Sequence, residues 1–221
     1  AGNPLLLQTH SSVLPVTQYR QVVGILFEAL EASEPTLTID KLSLLALLLS
    51  GLTGRADYAL TQIRVVESKN QAKSTGEVNI CLENGCLYQP MIVPISAFTP
   101  KFGQQVNLEP IEKSVIIPLP KRLISLLVAN KSWRGQIFND KATVANKLIE
   151  ACDFIRSTTK IEVFRAEFRK AFAPAIFATC RDIAQVMHIC GDTFGLSNAP
   201  LYYYAPKRSD LAKTYKTTLQ S

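Results

Sequence analysis

Histidine is nearly missing from this chain: His10 and His188 are its only imidazoles. The five cysteines, Cys81, Cys86, Cys152, Cys180 and Cys190, are odd in number and form no Cys-x-x-Cys pair. Zinc needs four clustered nitrogen or sulfur donors, so no metal centre is expected. Thiols without a disulfide-type spacing read as buried and free, in a reducing cytoplasm. Long apolar runs are lacking as well. Leu44 to Leu49 is too short to cross a bilayer, and no basic stretch leads into an apolar segment with a cleavage site. A cytoplasmic chain without a membrane partner is expected. Charged residues make up only 19% against 47% apolar, which excludes wholesale disorder and permits a substantial core. No internal repeat or low-complexity tract divides the sequence.

What is present has a basic balance. The net charge of +6 and pI near 9.1 suit a polyanion such as DNA, although solubility alone accounts for them equally well. Residues 1–15 read as a lead-in. Val16–Ala32 has helical apolar spacing after Pro15, and Pro35 ends it. Thr38–Leu52 is apolar nearly all round and predicts a buried helix, bracketed by Gly51 and Gly54. Short β-branched runs follow at Ile63–Val66, Val78–Leu82, Met91–Ile95 and Val115–Leu119. With the turn Glu83-Asn84-Gly85 they predict a small antiparallel sheet. Lys121–Ala129, Lys141–Ser157 and Arg181–Ile189 predict further helices. Phe164, Phe168 and Phe172 recur at helical spacing as a core stripe. Residues 206–221 are a polar, basic tail or a final short helix.

Several motifs stand in a telling order. Gly54-Arg55 sits on the exit of a helix. The β segments end in Ile116-Ile117-Pro118-Leu119-Pro120. Arg169-Lys170-Ala171-Phe172-Ala173 lies in a helix, Gly191-Asp192 makes a turn, and Tyr202-Tyr203-Tyr204 follows. This order resembles the tyrosine recombinase (phage integrase) catalytic domain. The resemblance implies a mainly helical α+β domain over residues 16–205, with an insertion near 83–110. It also implies an N-terminal core-binding domain absent from this chain. The pattern departs from the family in its first arginine box, where Gly54 stands for Leu and Tyr58 falls where a Glu would be with Asp57 one residue short, and at two later points: Ala166 stands at one histidine position and Asp192 at the other.

The chemistry implied is site-specific DNA recombination or integration, as in mobile elements. A tyrosine phenol attacks the phosphorus and leaves a covalent 3′-phosphotyrosyl link, which stores the bond energy so that no cofactor is needed. Tyr202 aligns with the nucleophile, and Tyr203 is the alternative. Arg55 and Arg169 would clamp the non-bridging oxygens as charge gathers on them. Lys113 is the nearest candidate for the proton-donating lysine, with Lys69, Lys73 and Lys101 also open. Asp192 would accept a hydrogen bond or hold an arginine. Arg165, Lys170, Lys207 and Arg208 would contact the duplex. The implied partners are double-stranded DNA and other copies of the chain, as a tetramer on two sites, with residues 206–221 a candidate for exchange between copies.

Other readings stay open. Singly, Arg55 is an ordinary arginine on a turn, His188 a core-facing helix residue, and the tyrosines packing aromatics. A strand-passing topoisomerase would use the same residues. A DNA-binding protein of the same fold without catalysis, or a helical protein-interaction module, are the alternatives from other classes.

Overall fold

A computed structural model of the chain describes residues 14–32, 39–55, 57–72, 78–93, 111–182, 185–186 and 208–220. The described part is mainly helical with one small sheet. Helix α1 runs Val16–Glu31, α2 Lys41–Thr53 and α3 Asp57–Leu60. Strands β1 (Ile63–Val66), β2 (Val78–Cys81), β3 (Cys86–Val93) and β4 (Ile111–Pro118) follow. Then come α4 (Lys121–Ala129), the two-residue β5 (Gly135–Gln136), α5 (Lys141–Thr159), α6 (Arg165–Cys180) and α7 (Arg208–Gln220).

Helix α2 is the axle. Asp40 caps its start by accepting from the Leu42 amide at 3.0 Å, and Gly54 ends it in the left-handed region at φ 66°. Every residue from Ser43 to Thr53 is buried, with α1, α3, α5 and α6 packed around it. Its few polar side chains are satisfied. The Ser43 hydroxyl donates to Glu150 at 2.6 Å, that of Ser50 to the Arg55 carbonyl at 3.2 Å, and that of Thr53 to the Leu49 carbonyl at 2.6 Å.

Two glycines let α6 close on this axle. A Cβ at Gly51 would lie 2.2 Å from the Phe168 ring, and one at Gly54 would lie 2.9 Å from Phe172. Tyr19 of α1 completes the junction. Its hydroxyl donates to the Gly51 carbonyl at 2.7 Å, and its ring meets that of Phe168 at 5.4 Å between centroids. Phe168 and Phe172 are core, as the stripe predicts, but Phe164 is 48% exposed. The helix begins only at Arg165, so Phe164 sits in extended backbone (φ −118°, ψ 141°) outside the periodicity.

The sheet order is β4-β3-β2-β1-β5. It is mixed, not antiparallel as expected: β1 and β2 run parallel, with Ile63 opposite Val78. A parallel pair needs the chain to return to its starting end. The segment between β1 and β2, including a 3-10 turn at Lys69–Gln71, makes that return. The β2–β3 hairpin forms where Asn-Gly predicts it, with Gly85 at φ 57° and Cys81 opposite Cys86. Ile63, Val65, Val78, Ile80, Leu87 and Ile117 join the main core. Val66, Cys81 and Cys86 form a second small cluster with Tyr88 and Ile116.

Of the two readings of residues 206–221, a basic tail or a final helix, the helix holds from Arg208, and it packs against α6, β4 and α1. Threonines hold it. The Thr218 hydroxyl donates to Thr179 at 2.9 Å, that of Thr214 donates to Gln185 at 3.0 Å, and Arg20 donates to the Thr218 carbonyl at 2.8 Å.

Candidate functional site

The junction of α2 with α6 decides where the candidate arginines stand. Arg55 follows the left-handed turn at Gly54, so it leaves α2 at the point that Phe172 covers. Its Nη2 donates to Gln89 Oε1 of β3 at 2.8 Å. On α6, Arg165 and Phe172 lie one turn before and one turn after Arg169, on overlapping faces. Arg165 Nη1 donates to Asp57 Oδ2 at 2.6 Å, while Phe172 lies against Gly54. Arg169 lies between these two contact points along α6. It is half-buried, and among the described residues no hydrogen bond or ion pair engages it.

Lys113 is placed by register. It pairs with Met91 in the β3–β4 ladder, two residues from Val115, which pairs with Gln89. The strand that carries Lys113 therefore runs beside the residue that holds Arg55. Lys170 is exposed. Arg165 is 42% exposed, and its ion pair offsets part of the charge it would bring to a phosphate. Arg208 opens α7. Tyr202, Tyr203, Tyr204, Asp192, Gly191, His188 and Lys207 lie outside the described residues, and of the helix expected over Arg181–Ile189 only Gln185 and Val186 are described as helical. Arg181 itself caps the end of α6 in the left-handed region.

Two partners of these arginines escape a sequence reading. Nothing in the β-branched pattern marks Gln89 as a partner for Arg55. Asp57 stands out only for its closeness to Arg55, and its ion pair with Arg165 joins two segments far apart in the chain. Cys81 and Cys152 offer no competing nucleophile. Burial pushes the Cys152 thiol up to about 12. Burial, with Cys86 beside it, pushes Cys81 to about 11. Such thiols stay protonated near neutrality and do not attack. Among the described residues no group of three His, Cys, Asp or Glu side chains is placed to hold a metal ion, and no helix there is long and apolar enough to cross a membrane. No protein-family model, no curated protein and no solved structure matches this chain.

Proposed function

We propose that this chain is the catalytic domain of a site-specific DNA recombinase working through a covalent 3′-phosphotyrosyl intermediate. One observation carries the reading: α6, the helix of Arg169, packs on α2 where two glycines meet two phenylalanines, and Arg55 follows directly on the second of those glycines. Two guanidinium groups on a rigid junction suit the charge that gathers on a phosphate under attack. In this reading Tyr202 attacks phosphorus, the phosphorus–oxygen bond to the 5′ carbon breaks, and Lys113 gives the departing oxygen its proton. A second reading is favoured by Ala166, whose methyl can move no proton where the resembling family has histidine. It is a DNA-binding protein of this fold that does not cleave.

The test is covalent trapping. Duplexes bound by the protein are selected from a randomised pool and remade with a nick, so that a cleaved fragment diffuses away. The expected result is a denaturation-resistant protein–DNA band. That band disappears in Tyr202→Phe or Tyr203→Phe, and falls at least a hundredfold in Arg169→Ala, as loss of one charge-stabilising donor costs. Tight binding without any adduct replaces the recombinase reading with the non-cleaving one.

A further inference from the structure

Cys81 ends β2 and Cys86 begins β3, and the two stand directly opposite each other at the base of the hairpin. Opposed residues of an antiparallel pair have Cα atoms about 4.5–5.5 Å apart and point to the same face of the sheet. A disulfide spans Cα atoms about 4.4–6.8 Å apart, so the backbone already stands where a bridge needs it. The sulfurs are within reach of each other: the Cys81 side chain shares a hydrogen bond with Cys86. Both side chains are fully buried, in the small cluster with Val66, Tyr88 and Ile116. Neither is bridged.

The surroundings give the two sulfurs different parts. Burial first, and then Cys86 beside it, pushes the Cys81 thiol up to about 11. Cys81 therefore keeps its proton, which leaves Cys86 to supply the attacking sulfur. Lys69 is the nearby cation: its charge acts on Cys81, and its Nζ lies 5.6 Å from the centre of the Tyr88 ring. A positive charge beside a thiol pair favours the thiolate, and Glu83 in the turn opposes it. Cys152 is buried too, but the groups that act on it are Arg156, Asp153 and Arg165, not a second thiol. The oxidant that fits the buried pair is small. A peroxide can enter on local opening of the hairpin where a bulky alkylating reagent is kept out.

From this opposition we propose that Cys81 and Cys86 are a redox site, closed to a disulfide by a peroxide and reopened by a dithiol reductant. The Cys86 thiolate attacks one peroxide oxygen. A sulfur–oxygen bond forms, the oxygen–oxygen bond breaks, and the departing hydroxide takes up the proton that Cys86 gave up. Cys81 then attacks the sulfenic sulfur of Cys86. The sulfur–sulfur bond forms, the sulfur–oxygen bond breaks, and the Cys81 proton leaves with the hydroxyl as water. The two thiols lose two electrons and the peroxide gains them. The proposal does not rest on the DNA reading, although the two meet in one strand: β3 continues from Cys86 to Gln89, which accepts from Arg55.

The test treats the whole chain with hydrogen peroxide in native buffer, blocks remaining thiols with N-ethylmaleimide in urea, and cleaves after Glu83, which lies between the two cysteines. The peptides on either side should stay joined, two hydrogens lighter than their sum, and should separate in dithiothreitol. Cys81→Ser and Cys81→Ala, with folding checked by circular dichroism, should lose the bridge. In these variants the sulfenic acid on Cys86 has no partner, so dimedone added with urea should label Cys86 there and not in the parent. Peroxide that oxidises the half-buried Cys180 while Cys81 and Cys86 remain thiols overturns the proposal. So does a bridge from either residue to Cys180 or Cys190. A bridge that forms only in urea also overturns it, because the fold is what holds the pair together. Equal dimedone labelling of Cys86 in parent and variants would show that Cys81 does not complete the bridge.

Discussion

Gly51 concentrates more consequences than any other single residue. Its missing side chain lets Phe168 approach, and its carbonyl accepts the Tyr19 hydroxyl. Gly51→Ala puts a methyl 2.2 Å from a ring that is itself fully buried, so the ring has nowhere to move cheaply. We expect a loss of roughly 1–3 kcal/mol in urea unfolding, the cost of overpacking a core. Any DNA adduct should fall with it, because α6 and Arg169 must shift. Tyr19→Phe is milder. It leaves a buried carbonyl unpaired, and about 1–2 kcal/mol of stability should be lost in the same assay. Thiol chemistry gives a third measurement. Cys152 near 12 and Cys81 near 11 carry almost no thiolate at pH 8. Peptide mapping after mild alkylation of the native protein should find Cys81 and Cys152 unmodified and the half-buried Cys180 labelled. Modification of Cys152 at the rate of Cys180 would contradict the packing between α5 and α6.

At the level of helices and strands, the sequence was informative where local chemistry alone decides. Lys121–Ala129 ends where periodicity puts it, and α5 runs only two residues past Ser157. Gly54 and the Asn-Gly turn act at the positions their freedom at positive φ requires. What escaped reading was decided between distant segments. The parallel partner of β1 depends on a crossover, and the two residues of β5 carry no propensity signal at all. Phe164 fits a spacing rule but falls before the helix that would enforce it. The candidate arginines follow the same divide: each is marked by its own neighbours, whereas Gln89 and Asp57 become partners of Arg55 and Arg165 only on folding. Asp40 joins two elements in a way that can be measured. Burial alone would raise its carboxyl, but hydrogen bonds from Lys147 of α5 and the Leu42 amide outweigh it and hold the group below its usual range. A lowered carboxyl stabilises the fold fully above the unfolded value of about 3.9, and that stability is lost as pH falls through the folded value. Asp40→Ala should therefore cost about 1 kcal/mol at pH 7, mostly from the cap, and less once the pH falls below the folded value. Asp40→Asn keeps the cap and should cost less; an equal loss would place the effect in the Lys147 pair instead.

The described part of the molecule is arranged around one helix that is buried from Ser43 to its end. In hydrogen exchange the amides of α2 should be the slowest described, opening only with global unfolding, while α7 exchanges earlier because hydrogen bonds of threonines hold much of its contact. Exchange from α2 as fast as from α7 would mean that α1 and α2 separate from the rest as a unit. The same burial has a cost during synthesis. The leucines of α2 leave the ribosome with α1 beside them, but α5 and α6, which cover the remaining faces, begin only at Lys141 and Arg165. Until those helices are made, the nascent chain holds an uncovered greasy rod, the kind of surface that chaperones engage and that aggregates when they are scarce. Yield in cells should therefore depend more on chaperone supply than the stability of the finished fold would suggest.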